Sequence, residues 1–133
     1  CHDVFPLTDL LRQAYRAVNE LDMMTVAAVH GSCYGCGVEF VLNCDHRLVA
    51  DSGHTQFYMT ELADYLNTPA FGSTQRLVRI MPLPEAVDFL MWGKRLRAEE
   101  AVASGLASAV LPWQNFEEST AAVVDDILAE RFE

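Results

Sequence analysis

Glu39 stands in the first turns of a helical pattern that begins directly behind a turn of small residues, Gly31 to Gly37. A short apolar run, Thr25 to Val29, leads into that turn. The stretch TVAAVHGSCYGCGVEFVLNCD, Thr25 to Asp45, therefore reads as strand, turn and helix. Such a layout gathers backbone N–H groups and one acidic side chain around a small space. That is the minimum a site needs to polarise a carbonyl and move a proton beside it. Taken by itself, Glu39 reads better as a surface carboxylate near a helix N-terminus.

The same turn carries a competing chemistry. Cys33 and Cys36 form a Cys-x-x-Cys at the start of a helix that follows a strand. That placement lowers a thiol pKa and suits a thioredoxin-like thiol redox protein. The strands that should follow such a motif are not in the expected order, and two small cysteines packed in a tight turn is the plainer reading. Zinc held by Cys33, Cys36, Cys44 and one of His2, His30, His46 or His54 is conceivable, but a second well-spaced ligand pair is missing, so no metal is expected. No Ser/His/Asp triad, P-loop or dinucleotide fingerprint is present.

The elements that must position these groups follow from periodicity and breakers. Thr8 to Leu21 repeats Leu10, Leu11, Ala14, Ala17, Val18 and Leu21 at helical spacing, with Thr8 as a cap. Thr25 to Val29 is a buried strand, Val38 to Cys44 a short helix, Arg47 to Ala50 a second strand and Thr55 to Met59 a third. Leu62 to Ser73 reads as a loop around Asn67, Pro69 and Gly72. Helices follow at Thr74 to Met81, ended by Pro82, and at Glu85 to Trp92, stopped at Gly93. Ala98 to Ser104 is helical, with Gly105 as its C-cap. Ala107 to Leu111 is a strand, and Phe116 to Arg131 a final helix. Strands alternate with helices, so the class is α/β. Phe40, Phe57, Phe89, Met91 and Trp92 fall at core-like spacings.

At 133 residues, 51% hydrophobic, the chain reads as one domain with a core of its own. No apolar run reaches membrane-spanning length, and CHDVFPLTDLL lacks the basic start and apolar block of a signal peptide. A net charge of −10 disfavours phosphate backbones and anionic membranes, so neither a nucleic-acid nor a membrane partner is expected. Basic groups do cluster at Arg76, Arg79, Lys94, Arg95 and Arg97. Arg76 and Arg79, one turn apart, are expected to pair with carboxylates. The four cysteines do not form a secreted scaffold, which favours a reducing, cytoplasmic setting.

Several of these segments together resemble the crotonase (enoyl-CoA hydratase/isomerase) superfamily. VAAVHGSCYGCGVEFVLNCDHRLVAD resembles its strand, Gly-rich turn and helix, ending in the Cys-Asp at Cys44 and Asp45. TPAFGSTQRLVRI resembles its Thr-Gln-Arg-Leu segment, and MWGKRLRAEEAVASGLASAVLP its Ala-Glu-Glu-Ala helix and Gly-Leu turn. The resemblance implies a crotonase-like (ClpP/crotonase) α/β core of stacked ββα/βαβ units, truncated at both ends, in a single domain over residues 1–133. Val26, Ala28, Val41, Leu48, Leu77 and Leu90 should be buried in it. The family's first oxyanion-hole loop and its C-terminal helices have no counterpart in these residues.

By that resemblance, Glu39 matches the first catalytic carboxylate. Glu61, 22 positions on, matches the second, although Thr60 stands where the family commonly has Pro; Asp64 is the alternative register. Cys36 takes the place of a Gly whose backbone N–H stabilises the thioester oxyanion. Tyr34, Gly35 and Phe71 are the candidate substrate-binding residues. The implied substrate is an acyl-CoA thioester, with coenzyme A as part of the substrate and no other cofactor. The implied assembly is a homo-oligomer, a trimer or hexamer or a different one because of truncation. The alternatives are a catalytically weak or inactive binding or assembly protein of the same fold, and thiol redox chemistry at Cys33 and Cys36.

Overall fold

In the computed structural model of the protein, residues 4–130 are described, with side chains for residues 8–130. The chain opens on helix α1, Val4–Asn19. Strand β1, Val26–Val29, then turns into β2, Ser32–Tyr34, and into helix α2, Cys36–Val41. The order repeats as β3, His46–Asp51, β4, Gln56–Tyr58, and α3, Glu61–Tyr65. Helices α4, Ser73–Ile80, and α5, Leu83–Trp92, follow. Strand β5, Leu96–Arg97, helix α6, Ala98–Ala103, and strand β6, Ala109–Pro112, precede the last helix, α7, Phe116–Glu130.

Each strand–strand–helix unit sends one strand into each of two sheets. The first sheet has the order β1-β3-β6, all parallel; the second has the order β2-β4-β5. Strands β2 and β4 are parallel, whereas β4 and β5 are antiparallel. These are the stacked ββα units that the resemblance implied.

The register of the second sheet sets up everything that follows. Ser32 lies beside Gln56, Cys33 beside Phe57 and Tyr34 beside Tyr58. Parallel strands in register end at the same level. The residues that leave β2, Gly35 and Cys36, therefore emerge next to those that leave β4, Met59 to Glu61. The Gly35 N–H seals the junction by donating to the Tyr58 carbonyl at 3.1 Å.

The core lies between the sheets and helices α2, α4, α5 and α6. Leu48, Val49, Phe57, Met59, Leu77, Phe89 and Leu106 are almost wholly buried there. Of the expected core residues, Leu48, Leu77 and Leu90 are buried, but Val26 and Val41 are only half-buried and Ala28 is exposed. The reason is positional: Ala27 and Val29 of β1 face the core, so the alternating Val26 and Ala28 face away from it, and Val41 packs only against the core's margin. Phe57 and Phe89 are core as expected, whereas Phe40, Met91 and Trp92 are exposed. On α5, Ala86, Phe89 and Leu90 face inward, so Leu83, Val87 and Met91, spaced by four, face out. Among the described side chains of α1, Tyr15 is buried, while Leu10 of the expected apolar stripe is exposed, as is Leu21 beyond the helix end.

Other boundaries shift for local reasons. The expected turn Gly31 to Gly37 contains β2, a strand made by its partner β4 rather than by β-branched residues. The expected loop Leu62 to Ser73 begins as α3, a single short helix with no amphipathic period. Two-residue β5 is likewise too short to carry a pattern. Gly105 follows α6 as expected; its φ is +83°, and a Cβ there would lie 2.3 Å from the Ile80 carbonyl oxygen.

Candidate active site

Glu39 sits in the first turn of α2 and is 1% exposed. Burying a carboxylate requires donors. Its Oε1 has three: the Phe71 N–H at 3.0 Å, the Ser73 N–H at 3.1 Å and the Ser73 hydroxyl at 2.8 Å. All come from the turn into α4, more than 30 residues away in sequence. Its Oε2 is buried with no hydrogen-bond partner among the described residues.

The backbone around Glu39 is tied just as closely. Asn43 donates to the Glu39 carbonyl at 2.6 Å and, through Oδ1, accepts from Asn19 and Arg76. Arg76 thus bonds an amide oxygen, not the carboxylate expected of it. Tyr15 of α1 donates from its hydroxyl to the Cys36 carbonyl at 2.8 Å. Burial, with Cys36 and Glu39 nearby, raises the Tyr15 pKa, so the phenol stays a donor.

Glu61 opens α3 and is half-buried. Its Oε2 accepts the Thr60 N–H at 3.0 Å. Its Oε1 lies only 3.0 Å from where a Cβ on Gly35 would be. Gly35 has φ 51° and ψ −124°, a conformation that side chains rarely adopt. Glycine is thus required twice, by the backbone angle and by the approach of Glu61.

Cys36, Glu39 and Glu61 converge. One ligating atom from each, Sγ or a carboxylate oxygen, lies within 4.8 Å of the others. The expected pairing of Glu39 with Glu61 is thus met in space, while the alternative, Asp64, is exposed and outside the group. Cys36 is the first residue of α2, and the first α-helical bond is made by the Glu39 N–H to the Gly35 carbonyl. The Cys36 N–H is therefore not used by the helix. Cys33, Cys44 and the histidines form no comparable cluster among the described residues, and His2 lies outside them.

Cys36 and Glu61 of this group line an open cleft of about 700 Å³, together with Tyr34, Gly35, Phe40, Thr60 and Tyr65 among others; Glu39 is buried and not part of the lining. Tyr34 stacks on Tyr58 at 5.3 Å between centroids, and Arg95 caps the Tyr58 ring at 4.3 Å. Phe71 behaves differently from expectation. Its N–H holds Glu39, but its ring packs edge-on against Tyr15 at 4.8 Å, beside a separate smaller cavity. Ser73 and Tyr15 were not singled out from sequence. Ser73 does precede Thr-Gln-Arg-Leu at a helix start, a position where Ser offers a hydroxyl; Tyr15 has no comparable signal.

The thiols do not have the electrostatics that redox chemistry needs. Burial pushes Cys33 up to about 12. Burial and the nearby Glu39 and Glu61 also raise Cys36. A reactive thiolate requires the opposite shift.

Two stacked ββα units, each with a carboxylate in the first turn of its helix, define a crotonase-type fold. The Enoyl-CoA hydratase/isomerase family model matches residues 7–131, and the chain belongs to that family. It is 38% identical over 106 residues to the fatty acid oxidation complex subunit alpha of Shewanella baltica strain OS185, covering 77% of this chain and 15% of that relative. The Vibrio campbellii subunit alpha is 37% identical over 101 residues, covering 76% of this chain and 14% of that relative. Among solved structures, an enoyl-CoA hydratase from Bacillus anthracis superposes with TM-score 0.87 at 30% identity, covering 96% of this chain and 48% of the other. A provisionally assigned enoyl-CoA hydratase from Thermobifida fusca YX, solved with acetoacetyl-CoA, gives 0.80 at 27% identity, covering 89% and 45%. The chain thus spans about half of these structures and a small part of the curated relatives. Among the described residues, no helix is long and apolar enough to cross a membrane.

Proposed function

We propose that the chain carries the acid/base centre of an enoyl-CoA hydratase/isomerase, acting on an acyl-CoA thioester with coenzyme A as part of the substrate and no other cofactor. The observation that carries this reading is the approach of the buried Glu39 to Glu61, which lines the cleft. A single water making hydrogen bonds of about 2.8 Å bridges two acceptors roughly 4.5–5 Å apart. The two carboxylates stand within that span. In hydration, the water oxygen bonds to the β-carbon of the enoyl group while one carboxylate takes its proton. The other delivers a proton to the α-carbon, so the pair ends with the protons it began with. The Cys36 N–H stabilises the negative charge that builds on the thioester oxygen. In isomerisation, the same pair removes a proton at one carbon and returns it two carbons along.

Tyr34 and Gly35 line the cleft where the acyl group enters, and Phe71 acts on the site through its N–H rather than its ring. Crotonyl-CoA should lose its enoyl absorbance in the presence of the protein, and Glu39→Gln should abolish that loss. Activity untouched by Glu39→Gln overturns the assignment.

A binding or assembly role is the second reading, favoured by the outward row of Leu83, Val87 and Met91 on α5 with Trp92 74% exposed beside it. We take this face to pack in a homo-oligomer. Light scattering at micromolar protein should show a mass above the monomer, and a monomer would count against it.

A further inference from the structure

We propose that Cys36, Glu39 and Glu61 also form a binding site for a thiophilic divalent cation such as zinc or cadmium, which closes the cleft to an acyl thioester. The proposal does not depend on the hydratase reading, since the ion is an occupant of the site and not a participant in the reaction.

Three observations carry it. First, the ligand set is a thiol and two carboxylates with one atom each within 4.8 Å of the others. A tetrahedral zinc shell with bonds of about 2.0–2.3 Å places its ligand atoms roughly 3.3–3.8 Å apart. Closing to that shell takes at most about 1–1.5 Å of side-chain movement, and Cys36 is exposed and Glu61 half-buried, so both have room to move. Glu39, fixed by Phe71 and Ser73, is the rigid member on which they close.

Second, Glu39 Oε2 is a buried oxygen with no donor among the described residues, although Oε1 of the same carboxylate has three. A buried anionic oxygen without a partner is costly, and a cation would supply what it lacks. Third, among the described residues no Lys or Arg lines the cleft beside Cys36 and Glu61. A divalent ion would bring positive charge to that acidic end of the group. The thiol decides which ion: hard cations prefer oxygen, whereas sulfur selects zinc and cadmium. A fourth position, open to the cleft, takes water. An ion held there sits where the carboxylates would otherwise hold the attacking water.

The test uses the chelator-treated protein and cadmium or zinc chloride. Cadmium should bind with one ion per chain and produce the ultraviolet thiolate-to-metal charge-transfer band. Zinc should compete for the same site and raise the melting temperature. Cys36→Ser and, as a second variant that adds no new ligand, Cys36→Gly should each lose the band and weaken zinc binding by about tenfold or more. Glu61→Gln should weaken binding while the band persists. A protein with Cys1→Ser and Cys44→Ser should keep both band and affinity. If the wild type binds no stoichiometric ion, or if the band survives in Cys36→Ser and Cys36→Gly, the site does not exist.

Discussion

The two carboxylates of the site are held in opposite ways. Glu39 is buried, and its donors lie on a segment more than 30 residues further along the chain. Glu61 is half-buried, and its carboxylate accepts from its immediate neighbour, the Thr60 N–H. Glu39 is therefore a product of tertiary packing, fixed only once α2 and the turn into α4 meet. Glu61 is positioned by where β4 ends, and the register of β4 against β2 decides whether it faces Glu39 at all. A buried, multiply bonded acid resists displacement; a locally bonded one at the cleft adjusts to substrate. One rigid and one adjustable group suits the proton transfer across a bound molecule proposed for the pair.

The contrast can be broken most decisively at the carboxylates themselves. Glu39→Gln should lower hydration of crotonyl-CoA by about 10²–10⁴-fold, and Glu61→Gln by about 10²-fold, read as initial rates at saturating substrate. Equal losses would mean that the difference in burial has no catalytic meaning. Gly35→Ala comes next. It forces a side chain into a conformation worth about 1–3 kcal/mol of strain and into contact with Glu61. Denaturant melts should show that loss, and the rate should fall as far as in Glu61→Gln.

Ser73→Ala removes the hydroxyl donor of Glu39 but leaves both N–H groups. A destabilisation of about 1.5–3 kcal/mol is expected for a bond to a charged acceptor, measured by urea titration. No change would show that the backbone donors hold Glu39 unaided. The smallest effect concerns Cys33, beneath the cleft. Its folded pKa is raised to about 12 from 9.0, so the contribution of the neutral thiol is complete below pH 9 and is lost as pH rises toward 12. Between pH 8 and 10 the wild type should lose about 1.4 kcal/mol that Cys33→Ala does not lose, as followed by melts at each pH.

How much of this was legible in the sequence follows the same contrast. The place of Glu39 at a helix start was readable because strand, glycine turn and helix start lie within a dozen residues; its burial was not, since taken by itself it reads as a surface carboxylate. Glu61 was readable only as a register, with Asp64 as a rival, because a parallel pairing across 24 residues decides it. The donors to Glu39 were not readable. Ser73 looks like the end of a loop until α4 is placed against α2. Tyr15 lies on a helix whose aliphatic stripe pointed elsewhere, and its hydrogen bond to Cys36 spans 21 residues. The short elements β2, α3 and β5 escaped because each is made by a neighbour and not by its own periodicity. Phe40, Met91 and Trp92 misled because spacing shows which residues share a face, not whether anything covers it.

The anchoring of Glu39 through the N–H of Phe71 has a consequence for change over evolutionary time. A main-chain donor survives replacement of every side chain except proline. Position 71 can therefore drift in size and shape, and retune whatever rests against its ring, while the carboxylate 32 residues earlier keeps its grip. Side-chain packing and the hold on the carboxylate are carried by separable parts of one residue, so the first can diversify without loosening the second.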